Sequence, residues 1–284
     1  MSHIHLSRLP GLAVVVAALL VVCAAGIGQV PASAGARAVR GAVAPTAVQP
    51  GLTRNWAGYT VGTSSSAGFS AVSARWIAPK FDCRKVQPLG GKASFWVGLG
   101  GTRNDNLEQA GTTVMCLGTE RARYTAWYGT YPVGPFDFDA KLDVGPGDSI
   151  AATVRVQGTR VSYLLENLTA GTHVAKTLPL QRPGTNSAEW IVENPPWCER
   201  GASTACSETV RFGRVTFVQA TAESANHAGP ISDPAWGSLP LVDVGPAGYE
   251  DPAAVGDAGP GDAPLIVAHP GPLIRNGSAF TVTS

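Results

Sequence analysis

The chain has 284 residues, with 21 Lys and Arg against 20 Asp and Glu, and therefore a formal net charge of +1. This balance gives no sign of a nucleic-acid surface or of a patch that binds anionic membranes. Hydrophobic residues make up 44% of the chain, which is enough for the core of one large domain.

Residues 1–34 have the pattern of a secretory signal peptide. A basic start that includes Arg8 precedes an apolar run over residues 12–22, and Pro31-Ala32-Ser33-Ala34 has the small residues of a cleavage site. The apolar run is shorter than the roughly 18 residues that a membrane span needs. We therefore expect a secreted, extracellular protein that has no membrane partner once the signal peptide is removed.

Residues 35–53 are rich in Ala, Val, Gly and Pro and hold no aromatic residue, which favours a pro-segment or linker. Residues 54–284 are then expected to form one domain. Residues 1–53 hold three basic and no acidic residues, so the remainder has 18 basic against 20 acidic residues.

From Asn55 onward, short runs alternate between apolar and polar residues and are separated by Gly, Pro and Asn, which is typical of an antiparallel sandwich or barrel. The 34 Gly and 22 Pro also disfavour helices. The sequence predicts an all-β fold with strands at Trp56–Val61, Phe69–Ile77, Ala93–Leu99, Thr112–Leu117, Tyr124–Tyr131, Phe138–Val144, Ser149–Val156, Arg160–Asn167, Val174–Leu178, Ser187–Glu193, Thr209–Gln219 and Ser278–Val282.

The cysteines beyond the signal peptide are even in number, as expected for disulfides in an oxidising compartment. Four cysteines allow three pairings, and proximity in the sequence favours Cys83–Cys116 with Cys198–Cys206. The chain beyond the signal peptide has neither a Cys-x-x-Cys pair nor closely spaced histidines, so no metal site is expected. The chain also lacks His-Glu-x-x-His, Gly-x-Ser-x-Gly and phosphate-loop motifs.

A few polar residues lie within apolar stretches that have the pattern of strands. Alternation along Ser187–Glu193 puts Glu189, Ile191 and Glu193 on one face, and Gln109 enters a similar run. Strands that contain Trp96 and Trp127 could line the same surface. This pattern favours a groove with aromatic walls, which suits polysaccharide binding as well as peptide cleavage.

Several segments in order resemble the glutamic peptidase family (eqolisins), which is known from fungi and from bacteria, and the chain is similar to a bacterial-type member. The likeness runs from about Asn55 to Gln219. The segments are Asn55–Tyr59, Trp96–Gly101, Glu108–Gly111, Tyr124–Tyr128 and Ala188–Glu193, with further matches at Pro146–Asp148 and Leu165–Gly171.

The resemblance implies a lectin-like sandwich of two curved antiparallel sheets and an endopeptidase that acts on protein or peptide substrates as a monomer, without cofactor or metal. It implies Glu193 and Gln109 as the catalytic pair and Trp96, Trp127 and Tyr128 as substrate-binding residues. An ionised Glu193 would activate a water while Gln109 stabilises the oxyanion, so activity is expected to peak below about pH 5.

One departure from the fungal pattern is Gly129, where a glutamate often follows Trp-Tyr. Two other functions fit the same fold. A non-catalytic carbohydrate-binding sandwich would use the tryptophans but has no need of the Gln109 and Glu193 pair. A glycosidase needs two carboxylates across a groove, for which Glu189 and Glu193 on one strand are a poor pair.

Overall fold

The structure, a computed structural model, describes residues 49–63, 67–85, 91–102, 106–117, 121–194, 211–225, 227–245 and 266–284. Its elements are strands, apart from a short 3₁₀ turn at Cys83–Lys85. In chain order the strands are β1 (Gly51–Thr53), β2 (Trp56–Gly62), β3 (Ala71–Ile77), β4 (Lys92–Gly100), β5 (Leu107–Leu117), β6 (Arg121–Tyr131), β7 (Gly134–Asp137), β8 (Ser149–Gln157), β9 (Arg160–Asn167), β10 (Thr172–Pro179), β11 (Ser187–Glu193), β12 (Arg214–Ser224), β13 (His227–Pro230), β14 (Gly237–Asp243), β15 (His269–Pro270) and β16 (Phe280–Thr283).

The strands form two sheets. The first sheet has the order β1-β14-β2-β11-β4-β5-β6-β7, and the second has β10-β9-β8-β3-β12-β16-β15 with β13 paired to β12. The pairing is antiparallel except between β1 and β14. The predicted all-β sandwich is confirmed, and every predicted strand but one overlaps an observed strand.

The main core lies between the sheets and follows from the alternation of the strands. On β11, Trp190 and Val192 face this core, and Trp76 on β3 and Tyr163 on β9 meet them from the second sheet. Each of these side chains is almost fully buried, and burial of a large apolar side chain stabilises a fold by about 1.5–3 kcal/mol.

A second, smaller apolar cluster covers the opposite face of the first sheet, which we call the outer face. Its buried members come from β4, β5, β6, β11 and β14: Trp96, Leu107, Trp127, Ile191 and Leu241. Trp56 and Leu239 pack against it and are partly exposed. The outer face therefore holds the tryptophans that the sequence singles out.

The disulfide Cys83–Cys116 joins the 3₁₀ turn to β5, with a Cα–Cα distance of 5.4 Å, and confirms one predicted pairing. Cys198 and Cys206 lie outside the described residues, as does the expected signal peptide. In the described part of the chain, no helix is long and apolar enough to span a membrane.

The strand predicted at Phe138–Val144 is wrong. The hairpin partner of β6 is β7, which ends at Asp137, before the predicted strand. Residues 138–144 then cross toward the second sheet, where Lys176 on β10 donates to Asp139 over 2.7 Å. Phe138 and Leu142 are buried in the core from this unpaired segment, which explains the apolar–polar alternation that suggested a strand.

A short strand lies just before residue 54, where the domain is expected to start. Gly51–Thr53 is paired with Leu241–Asp243 of β14 and so belongs to the first sheet. No local sequence pattern indicates this short edge strand, because its partner lies about 190 residues away along the chain.

Candidate active site

The centre of the first sheet brings four of the five predicted site residues onto the outer face, namely Gln109, Trp96, Trp127 and Glu193. Along β11, Glu189, Ile191 and Glu193 alternate with core residues, as the sequence indicates. The strand register arranges side chains in rows across the sheet. Glu193 lies opposite Ser94 on β4, and Ser94 lies opposite Thr113 on β5.

Both carboxylate oxygens of Glu193 accept a hydrogen bond. Asn55 Nδ2 donates to Oε1 over 2.9 Å, and Trp96 Nε1 donates to Oε2 over 2.9 Å. Burial raises the pKa of Glu193, while the hydrogen bonds from Trp96 and Trp56 and the charge of Lys92 act in the opposite direction. Burial is the largest effect, so the pKa lies above its ordinary value.

Local pairing places Asn55 beside Glu193. Asn55 precedes β2, which runs antiparallel to β11 so that Trp56 lies opposite Glu193. The backbone N–H of Asn194 donates to the carbonyl of Asn55 over 2.9 Å and extends this pairing past the end of the strand. Asn55, the donor to Oε1, is thus held in place by the pairing of β2 with β11 and by the hydrogen bond from Asn194.

The tryptophans lie beneath the surface of the outer face. Trp96 is 0% exposed and packs edge-on against Trp56 with ring centroids 5.0 Å apart. Trp127 is 8% exposed, and its Nε1 donates to Thr113 Oγ1 over 2.8 Å. Thr113 in turn shares a 2.7 Å hydrogen bond with Ser94, so the chain of contacts reaches the row of Glu193.

Gln109 lies on the same face but two rows away from Glu193. Its row contains Glu189, Gly98 and Gly129. Two rows correspond to about 13 Å along the strands and two strands to about 10 Å across them. Among the described residues no hydrogen bond joins the two side chains, and the row of Trp96 lies between them.

The absence of a side chain at Gly129 gives Gln109 room. A Cβ added at Gly129 would lie 3.2 Å from Gln109 Cγ and 3.3 Å from its Nε2. The Oε1 atom of Gln109 is shielded from solvent and has no hydrogen-bond partner among the described residues. The amide is thus an available polar group on the outer face.

Tyr128 does not lie on this face. It alternates with Trp127 and Gly129, points into the main core and contacts Tyr163, Phe136 and Phe138. It is 6% exposed. The substrate contact expected for Tyr128 does not fit this placement, because adjacent residues of a strand face opposite sides of the sheet.

Three buried acidic residues near the site were not anticipated as a group. Glu108 is 1% exposed, accepts from the N–H of Gly184 over 2.7 Å, and has its pKa raised to about 7 by burial. Glu189 and Asp243 are 0% exposed, and burial raises both pKa values. Strand alternation places Glu189 on the same face as Glu193, but only the register shows what surrounds each carboxyl group.

In the described ranges, no group of three or more His, Cys, Asp and Glu side chains could hold a metal ion. The full burial of Glu189 also prevents it from flanking a substrate together with Glu193.

The fold and the site define a β-sandwich protein with a buried carboxylate and a free amide on the outer face of one sheet. Residues 54–236 match the Peptidase A4 family, and the chain belongs to this family. Scytalidopepsin B from Scytalidium lignicola is 34% identical over 113 residues, which are 38% of this chain and 42% of that protein. The match thus spans less than half the length of that relative.

Two solved structures have a similar fold. Scytalido-glutamic peptidase with a transition state analog inhibitor has a TM-score of 0.60 at 22% identity, over 81% of this chain and 98% of that chain. SCP-B, a member of the Eqolisin family in complex with the tripeptide Ala-Ile-His, has a TM-score of 0.56 at 19% identity over the same shares. The predicted sandwich and the predicted family are therefore confirmed.

Proposed function

We propose that the chain is a secreted acid endopeptidase, of the bacterial type within its family, that hydrolyses peptide bonds with Glu193 and Gln109. The observation that carries the proposal is the pair of donors on Glu193. Both oxygens are oriented by fixed side chains, and burial keeps the pKa above that of an ordinary glutamate. A carboxylate with this environment suits proton transfer in mild acid.

In the proposed reaction, ionised Glu193 takes a proton from a water molecule as the oxygen of that water attacks the peptide carbonyl. The Gln109 amide donates to the oxyanion that develops on the carbonyl oxygen. The protonated Glu193 then passes its proton to the leaving amine, and the C–N bond breaks. The step uses no metal and forms no covalent intermediate with the protein.

The separation of the two rows sets a requirement on this mechanism. Gln109 and Glu193 must both extend toward the row of Trp96 to act on the same peptide bond. The Oε1 atom of Gln109 has no hydrogen-bond partner among the described residues, so no bond at this atom opposes a rotation of the amide. The Gln109 side chain occupies the space over Gly129, which a residue with a side chain would narrow. The substrate peptide is proposed to lie across the outer face above Trp96 and Trp127.

The burial of both tryptophans favours the peptidase over a carbohydrate-binding module. Sugar rings stack on exposed aromatic faces, whereas Trp96 is 0% and Trp127 is 8% exposed. Their indole N–H groups instead donate to Glu193 and Thr113. We propose that they support the catalytic carboxylate from below, with the protein acting as a monomer.

The test is cleavage of a denatured protein across pH 2–8 by the wild type, Glu193→Gln and Gln109→Ala. We expect losses of about 10²–10⁴-fold for the first variant, which lacks the base, and about 10²–10³-fold for the second, which lacks the oxyanion donor.

The matched control is Glu166→Gln, which makes the same chemical change on β9 of the second sheet. It should retain wild-type activity. Full activity of a folded Glu193→Gln variant would rule the mechanism out.

A further inference from the structure

One end of the outer face carries unpaired positive charge. Lys92 on β4, Met115 on β5 and Arg123 on β6 lie opposite one another and form the row next to that of Glu193. Arg121 lies one row further along β6, on the same face. We call Lys92, Arg121 and Arg123 the basic rim.

The cations of the basic rim are free to bind an anion. Arg121 and Arg123 are exposed and Lys92 is half-buried. None of the three forms an ion pair within the described ranges. Four other cations of the described chain do form ion pairs, namely Arg84–Asp82, Lys141–Asp143, Arg155–Glu223 and Lys176–Asp139.

The basic rim is close to the proposed reaction centre. The Lys92 charge lowers the pKa of Glu193, so the ammonium group acts on the carboxylate directly. Adjacent rows are about 7 Å apart, the length of two residues of an extended peptide. The bond is proposed to lie near the row of Trp96, two rows or about 13 Å from the rim. Three residues of an extended peptide cover about 10 Å of this distance and the side chains at both ends cover the rest, so a carboxylate bound at the rim belongs to a residue about three positions from the bond.

We infer that the basic rim is a specificity site that selects peptide substrates with an aspartate or glutamate side chain near the cleaved bond. This inference rests on the proposed peptidase function. The ligand is the ionised side-chain carboxylate, bound by Lys92 and Arg123 on either side of Met115. Arginine suits such a contact because its planar guanidinium can bind a carboxylate through two hydrogen bonds.

The experiment uses peptides blocked at both ends, so that the side chain is the source of the carboxylate. In each peptide one position within three residues of the cleaved bond is either Asp or Asn. At pH 5.5 the wild type should show kcat/KM about 2–5-fold higher for Asp at the favoured position, a ratio typical of one partly exposed charge pair. The ratio should fall toward one in high salt.

Arg123→Met and Lys92→Met should each lower this Asp/Asn ratio, and the double variant should abolish it. Arg160→Met, which removes an exposed arginine at the start of β9 on the second sheet, should keep the wild-type ratio. A wild-type ratio of one at every position, or a ratio unchanged in the double variant, would overturn the inference.

Binding to the Glu193→Gln variant separates this inference from the proposed function. Fluorescence anisotropy of labelled Asp and Asn peptides reports the preference without any cleavage. A preference for Asp that disappears in the triple variant with Lys92→Met and Arg123→Met supports the basic rim even if the wild type cleaves nothing. Equal binding of both peptides contradicts it even if the wild type is an active peptidase.

Discussion

The carboxylate of Glu193 is oriented by two donors that come from different parts of the chain. Trp96 fixes Oε2 from β4, and Asn55 fixes Oε1 from the start of β2. The hydrogen bond from Trp96 opposes the effect of burial on the pKa of Glu193. The donor Asn55 acts in the same direction, because a hydrogen bond to the ionised form favours it. The position of the acid limb of the pH–rate profile depends on this balance, because the proposed base must be ionised.

Asn55→Ala removes the donor to Oε1 and should raise the pKa of Glu193 further. A hydrogen bond to a charged group contributes about 1.5–3 kcal/mol, so we expect the acid limb of kcat/KM to move up by about one pH unit. The shift is measured on an uncharged peptide between pH 3 and 7. Lower activity with an unchanged limb would mean that Asn55 acts only on the structure of β2.

At the scale of the strands, the close packing of β4 on β5 depends on a residue without a side chain. A Cβ at Gly111 would lie 2.2 Å from the carbonyl oxygen of Phe95 and 2.5 Å from Trp96 Cβ. The backbone and Cβ of Trp96, which carries the donor to Glu193, can approach β5 this closely only because Gly111 has no side chain. A rigid backbone contact cannot relax as a flexible side chain can.

Gly111→Ala should therefore destabilise the protein by about 1–3 kcal/mol, as overpacking of a core typically does. Gly62→Ala on β2 is the matched control, because no atom lies within 4 Å of the added Cβ. Urea denaturation followed by circular dichroism compares the two variants. Equal free energies of unfolding for the two variants would show that β4 and β5 accommodate the added Cβ at position 111 without a loss of stability.

The elements also show which features can be predicted from sequence. Alternation along β11 correctly separated Trp190 and Val192 from Glu193 on opposite faces, because strand periodicity is a local property. The packing of the two sheets then decides which face is the core. The donor Asn55, the acid Glu108 and the rim residue Arg123 had no such signal. Their roles depend on register between strands far apart in sequence, such as the 138 residues that separate Asn55 from Glu193.

At the scale of the whole molecule, buried acids couple the stability of the fold to pH. Glu108 has its pKa raised to about 7, and burial raises those of Glu189 and Asp243 as well. A carboxyl group with a raised pKa in the folded state favours folding while it is protonated. Its contribution is complete below about pH 4.5 and is lost as the pH rises through the folded pKa.

The free energy of unfolding should therefore fall between pH 4.5 and 7.5, and Glu108 alone should account for about 3 kcal/mol of the decrease. Urea midpoints at pH 4.5, 6 and 7.5 measure the decrease. Glu108→Gln, which cannot ionise, should reduce the slope, whereas Glu166→Gln on the second sheet should not. Constant stability of the wild type over this range would contradict the role of Glu108.

Strand β1 restricts where the protein can be processed by proteolysis. Thr53 accepts a hydrogen bond from the N–H of Val244 at its carbonyl and another from the N–H of Trp56 at its hydroxyl. A maturation cut between Thr53 and Arg54 would separate Thr53 from the domain and remove both hydrogen bonds. Trp56, which packs against Trp96, would then lose the hydrogen bond from its N–H to Thr53. Cleavage before Gly51 would keep the whole of β1 paired with β14, so the mature N-terminus of an active enzyme is expected there.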